Sequence, residues 1–186
     1  MSKISAGLER AFASRGFADP SVEDLRDAAG VSLRTLYKYT PSRAEMVLAA
    51  LENRHQRYMA QVFEGLPEAP AEALDAMVSR VGRWMQTEAS HGCLFHAAVA
   101  ADPSSAPLRA LLERHKTEVA SRAAEACGLP DAAIELMVII EGLTQAWPLQ
   151  GDAAVAAAKR LGDLLRGGGR LGDVACHGRI WVGGDA

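Results

Sequence analysis

SVEDLRDAAGVSLRTLYKYTPSR, residues 21–43, is the stretch that decides the fold. Ser21 heads a short helical segment, Val22 to Ala29, with Asp24 three residues on as a weaker relative of the Glu in a capping box. Gly30 ends that segment, since glycine takes a left-handed backbone without a Cβ clash. Ser32 then caps a second segment, Leu33 to about Tyr39. Two short helices joined by a tight glycine-containing turn make a helix-turn-helix unit. Leu25, Ala28, Val31 and Leu36 are the inward positions, and the small Ala28 and Ala29 let two helices cross closely. With Leu36 inward, the helical period puts Arg34 and Lys38 near the opposite face, flanked by Thr35 and Tyr37. A short helix showing these side chains and no acid suits a major-groove reader, because Arg bonds guanine edges bidentately while Lys, Thr and Tyr reach phosphates or base edges.

Working outward, glycine and proline divide the chain into helix-length pieces. Ile4, Leu8, Ala11 and Phe12 give Ile4 to Arg15 an amphipathic stripe that stops at Gly16. Ser42-Arg43-Ala44-Glu45 is a full capping box opening a long helix toward Gly65. Its stripe is Met46, Val47, Ala50, Leu51, Arg54, Tyr58, Val62 and Phe63. Further helices are expected over Ala71 to about Ser90, Cys93 to Ala101, Leu108 to Cys127, Asp131 to Gln150 and Ala153 to Arg166, with a turn at 102–105. No segment alternates, so the fold class is all-α. The expected organisation is a three-helix head over 1–50, a helical body over 51–166 and a flexible Gly-rich tail over 167–186.

Composition agrees. Alanine supplies 35 of the 186 residues and aromatics only 5%, a helical rather than a strand composition. No apolar run approaches the roughly 18 residues needed to cross a bilayer, and Met1-Ser2-Lys3-Ile4-Ser5 lacks the long apolar stretch expected of a secretory signal. Three scattered cysteines, Cys93, Cys127 and Cys176, make no disulfide framework and fit a reducing cytoplasm. The net charge of −3 conceals nine Lys/Arg against seven Asp/Glu in residues 1–60, a mildly basic head on an acidic body. The chain lacks a P-loop, GxGxxG, HExxH, GxSxG and CxxC, so neither an enzyme, a metal site nor a cofactor is expected. Cys93, after Gly92 at a helix start, reads as buried packing. The competing function is a helical protein-interaction module without DNA binding.

Residues 4–51 resemble the DNA-binding head of the TetR family of transcriptional regulators. The resemblance lies in Ala13-Ser14-Arg15-Gly16-Phe17, Ser21-Val22-Glu23-Asp24-Leu25, Ala28-Ala29-Gly30-Val31-Ser32, Thr35-Leu36-Tyr37 with Tyr39, and Pro41-Ser42-Arg43. Two departures stand out. Thr40 replaces the usual Phe under the recognition helix, which implies a less firmly held corner. Leu33 replaces a polar or basic residue, which turns it toward a thymine methyl or the core. The resemblance implies a ligand-responsive regulator, a repressor by family default. Ser32, Leu33, Arg34, Thr35, Tyr37 and Lys38 would contact a double-stranded operator, with Tyr39 and Arg43 on phosphates. It implies a homodimer, and the apolar last two helices suggest Met137, Glu141, Thr144, Ala154, Ala158 and Leu161 at the interface. It implies a small-molecule effector pocket in the body, for which the candidates are Trp84, Met85, Cys93, Phe95, His96, His115, Gln145 and Trp147.

Overall fold

The computed structural model describes residues 3–89 and 92–168. The glycine-rich tail from 169 onward, with Cys176, lies outside them, as does His91. Among the described residues the chain is helical throughout: α1 Lys3–Arg15, α2 Val22–Ala29, α3 Leu33–Tyr39, α4 Arg43–Phe63, α5 Pro70–Glu88, α6 Leu94–Ala101, α7 Ala106–Ala126, a single 3-10 turn Pro130–Ala132, α8 Ala133–Gln150 and α9 Asp152–Gly167.

The caps explain these boundaries, with one reversal of expectation. Ser21 and Asp24 close a reciprocal box, the Ser21 amide donating to Asp24 Oδ2 at 2.9 Å and the Asp24 amide to Ser21 Oγ at 3.1 Å. The Ser42 box closes by half: the Glu45 amide donates to Ser42 Oγ at 3.2 Å, with no return bond from the Glu45 carboxylate among the described residues. The shorter Asp side chain therefore does what the Glu was expected to do. Gly30 takes φ +65°, the left-handed turn that separates α2 from α3. Thr40 is buried, and its hydroxyl donates to the Leu36 carbonyl at 3.0 Å. The corner expected to be loose is thus tied by a hydroxyl where an aromatic would pack.

α1 packs chiefly on α4 and α2. A Cβ on Gly7 would lie 2.2 Å from the Ala28 carbonyl oxygen and 2.6 Å from Ala29 Cα, so only glycine admits this crossing of α1 over α2. The head core of Leu8, Phe12, Leu25, Leu36, Met46 and Leu51 runs on into Leu94, Phe95 and Ala98 of α6 and Leu108 and Leu111 of α7. A second core, centred on Leu74, Met77, Val81, Trp84, Leu136 and Ile140, fills the body between α4, α5, α7, α8 and α9. Pro130–Gln150 is by length and composition alone a stretch that could cross a bilayer, although no continuous apolar run in it is that long. Here it is braced by α5, α7 and α9, with Leu136, Ile140 and Leu143 buried.

Candidate functional site

Three surfaces carry chemistry. On the first, α3 buries Leu36 and leaves Ser32, Arg34, Tyr37, Lys38 and Tyr39 exposed, with Tyr39 at 65%. Ser32 Oγ accepts the Thr35 amide at 3.1 Å and lies 2.8 Å from Thr35 Oγ1, which fixes the first turn and half-buries Thr35. Leu33 stands outside the core at 38% exposure. Arg43 is tied to the head itself. Its Nη2 donates to the Phe17 carbonyl at 2.8 Å and its guanidinium lies over Phe12 at 5.8 Å, so it also braces the head.

The second surface is a narrow cavity between α4, α5, α6, α7 and α8, with about 420 Å³ of empty space that includes its open mouth. Trp84, Met85, Cys93, Phe95 and His115, all expected there, line it together. His96, Gln145 and Trp147 do not. His96 is exposed on the rim, with Nε2 3.8 Å from Glu141 Oε2. Gln145 is exposed, and Trp147 is half-buried in the body core with its indole N–H unpartnered.

Sequence reasoning missed the polar part of the cavity: Arg54, Tyr58, Lys116, Glu141 and Thr144. Lys116 Nζ donates to Glu141 Oε1 at 2.6 Å and approaches Cys93 Sγ at 3.5 Å. His115 stacks on Phe95 at 4.0 Å and shares a 2.9 Å Nδ1···Nδ1 contact with His55. Burial first, then the positive Lys116, hold its pKa down to about 2, so the ring is neutral. Arg54 spans head and body. Its Nη1 donates to Glu9 of α1 at 3.2 Å, its Nη2 donates to the Glu88 carbonyl at 2.8 Å, and it covers the Trp84 ring at 5.0 Å. A cation inside the apolar stripe of α4 was the signal available in the sequence for this brace.

The third surface is an apolar stripe on the outer faces of α8 and α9: Ile134, Val138, Leu161 and Leu164 are 70%, 62%, 53% and 71% exposed. Most of the residues expected at an interface lie elsewhere. Glu141 turns to the cavity, Thr144 is buried with its hydroxyl donating to the Ile140 carbonyl at 2.9 Å, and Ala154 and Ala158 pack into the body core. Leu161 remains on the outer face, with Met137 half-buried beside it in α8. The small alanines bring α9 close to its own body.

The family model described as bacterial regulatory proteins, tetR family, matches residues 4–50. The chain is 35% identical over 104 residues to the HTH-type transcriptional regulator EthR of Mycobacterium tuberculosis, covering 55% of this chain and 48% of that protein. It thus spans about half the length of the curated relatives it matches. Over its whole fold it is similar to a TetR-family transcriptional regulator from Streptomyces coelicolor, with a TM-score of 0.74 at 21% identity, covering 89% of this chain and 93% of the other. A Rhodococcus protein titled as a TetR-family regulator aligns with a TM-score of 0.70 at 22% identity, over 88% and 96% of the two chains. Residues 4–50 thus match the tetR family of bacterial regulatory proteins, and the course of the helices is similar to that of solved TetR-family regulators.

Proposed function

We propose that the chain is a DNA-binding transcriptional regulator, a homodimeric repressor that a small molecule releases from its operator. The observation that carries this reading is the outward face of α3, where Arg34 and Lys38 stand exposed one turn apart on a capped helix with no acid beside them. Base edges in the major groove are reached by such a helix, and Ser32, Thr35, Tyr37 and Tyr39 supply hydroxyls for phosphates.

A seven-residue helix reads too few base pairs alone, so two heads are needed, about 34 Å apart along the duplex. The exposed Ile134, Val138, Leu161 and Leu164 stripe supports a two-fold four-helix interface made by α8 and α9 of each copy. An effector in the cavity would act on Arg54, which both lines the cavity and holds Glu9. Moving Arg54 would pivot α4 and change the spacing of the two heads.

The test uses a duplex selected by the protein from a random pool. Affinity should fall with salt at a slope of about −0.9 per phosphate neutralised. Arg34→Ala should weaken binding by about 1–3 kcal/mol and relax the base preference at one position of each half-site. A flat salt dependence with unchanged preference would point to a protein-interaction module.

A further inference from the structure

We propose that the body cavity takes an uncharged, single-ring compound bearing one hydrogen-bond acceptor, such as a carbonyl oxygen, which receives the proton of Tyr58 Oη. The proposal rests on the ligand-responsive reading above and names the class of ligand.

Charge balance comes first. The cavity wall contains two cations, Arg54 and Lys116, and one anion, Glu141. Lys116 is matched by Glu141 at 2.6 Å. Arg54 belongs to a set of four in which Arg54 and Arg57 face Glu9 and Glu88: Arg54 to Glu9 at 3.2 Å, Arg57 to Glu9 at 2.8 Å and Arg57 to Glu88 at 2.7 Å. The neutral imidazole of His115 adds no charge. Every charge at the wall therefore has its opposite, and a charged ligand would bring an unmatched charge out of water.

Hydrogen-bonding capacity comes next. The Thr144 hydroxyl is spent on the Ile140 carbonyl, His115 Nδ1 on His55, and Arg54 on Glu9 and Glu88. Tyr58 is different. It is 8% exposed, it lines the cavity, and no hydrogen bond of Oη is found among the described residues, the oxygen keeping some open surface instead of being sealed in. Burial, with the negative Glu141 nearby, pushes the phenol pKa up, so the group stays a donor. A donor on a cavity wall that bonds to no protein group is what a ligand acceptor satisfies.

Shape completes the assignment. Tyr58 lies edge-on to Trp84 at 5.3 Å and to His115 at 5.4 Å, and Phe95 backs the His115 ring. Ring edges and faces arranged this way favour a flat aromatic guest. The cavity is narrow, so a single ring enters by parting these side chains.

The experiment titrates the full chain by calorimetry with acetophenone, ethylbenzene, benzoate and benzylamine. Acetophenone should bind, ethylbenzene about tenfold more weakly, and the two charged compounds not at all over the same range. Tyr58→Phe should bring acetophenone to the ethylbenzene level and leave ethylbenzene unchanged, the latter serving as proof that the variant is folded. Glu141→Gln, which leaves Lys116 unmatched, should create benzoate binding. Benzoate or benzylamine binding the unaltered chain as tightly as acetophenone, equal acetophenone affinity in Tyr58→Phe, or no binding by any of the four would overturn the proposal. Acetophenone binding without effect on operator affinity would leave the ligand class standing and remove the release mechanism. Benzoate binding that weakens the operator complex would do the reverse.

Discussion

Replacing Glu9 with glutamine removes one charge from the set that joins head to body and hardly changes volume. Glu9 is 2% exposed and Arg54 4%, so water can do little to compensate. Burial is the largest influence on Arg54, pulling its pKa down, and the proximity of Glu9 is the largest that opposes it. At the 3.2 Å separation of the pair, Coulomb attraction is about 1 kcal/mol in water and about 5 kcal/mol at an effective dielectric of 20. Leaving one member of a buried pair uncompensated typically costs about 3–5 kcal/mol. That is a large fraction of the roughly 5–15 kcal/mol that keeps a domain folded. The replacement of both members by apolar residues should behave differently, since each ion's desolvation cost disappears with it. Glu9→Gln should therefore lose about 3 kcal/mol or more, whereas Glu9→Leu with Arg54→Met should lose less than the sum of its singles, the remaining loss coming from Arg57 and the buried Asn53 amide, which also give up Glu9. Urea unfolding followed by far-ultraviolet circular dichroism, at one fixed protein concentration, reads both. A Glu9→Gln protein as stable as the parent, or a double variant as unstable as the sum of its singles, would refute the claim that this buried pair is a mutually dependent brace.

Gly7→Ala sets a helix-propensity gain of about 1 kcal/mol against contact with the backbone of Ala28 and Ala29, which cannot rotate away; overpacking of about 1–3 kcal/mol should win and lower Tm, and a higher Tm would contradict the close crossing. Val138→Asp combined with Leu161→Asp should convert dimer to monomer in sedimentation, and an unchanged mass would exclude this face as the interface. For His115, the folded-state pKa lies below the unfolded 6.5, so as pH falls below 6.5 the unfolded chain takes up the proton first and stability declines. At up to 1.36 kcal/mol per pH unit, the drop from pH 6.5 to 5 approaches about 2 kcal/mol. His115→Gln should flatten that slope in denaturant titrations at several pH values, and an equal slope in both proteins would count against it.

Much of the fold was legible because its punctuation is chemical. Ser21, Gly30 and Ser32 mark the ends of α2 and α3, since a side-chain oxygen and a residue without Cβ each satisfy a backbone requirement that few others meet. The face of α3 follows from the same logic, because one buried Leu36 fixes where Arg34 and Lys38 must point. Periodicity says which side of a helix is buried but not against what. α8 is apolar nearly all round, so its cavity side, with Glu141 and Thr144, and its outer side, with Ile134 and Val138, were exchanged in part. The cavity draws Tyr58, Trp84, Phe95, His115 and Glu141 from five helices, and their meeting depends on how those helices cross. Arg54 was visible as a cation in an apolar stripe, yet its partner Glu9 lies 45 residues away on another helix, beyond any local rule.

The tightness of the cavity also limits how strongly a ligand can act. A single aromatic ring buries about 150–250 Å², worth roughly 4–6 kcal/mol at 25 cal/mol per Å², and one hydrogen bond adds about 1 kcal/mol. Only the part of that free energy that differs between the operator-competent and released forms can shift their balance. Some is spent parting Phe95, His115 and Tyr58, which already touch one another. A shift from 1:99 to 99:1 requires about 5.5 kcal/mol of differential affinity, nearly the whole amount. A one-ring effector should thus weaken operator binding by tens of fold and leave measurable residual affinity. A ten-thousand-fold release by such a compound would mean that the closed cavity described here is not the form that binds DNA.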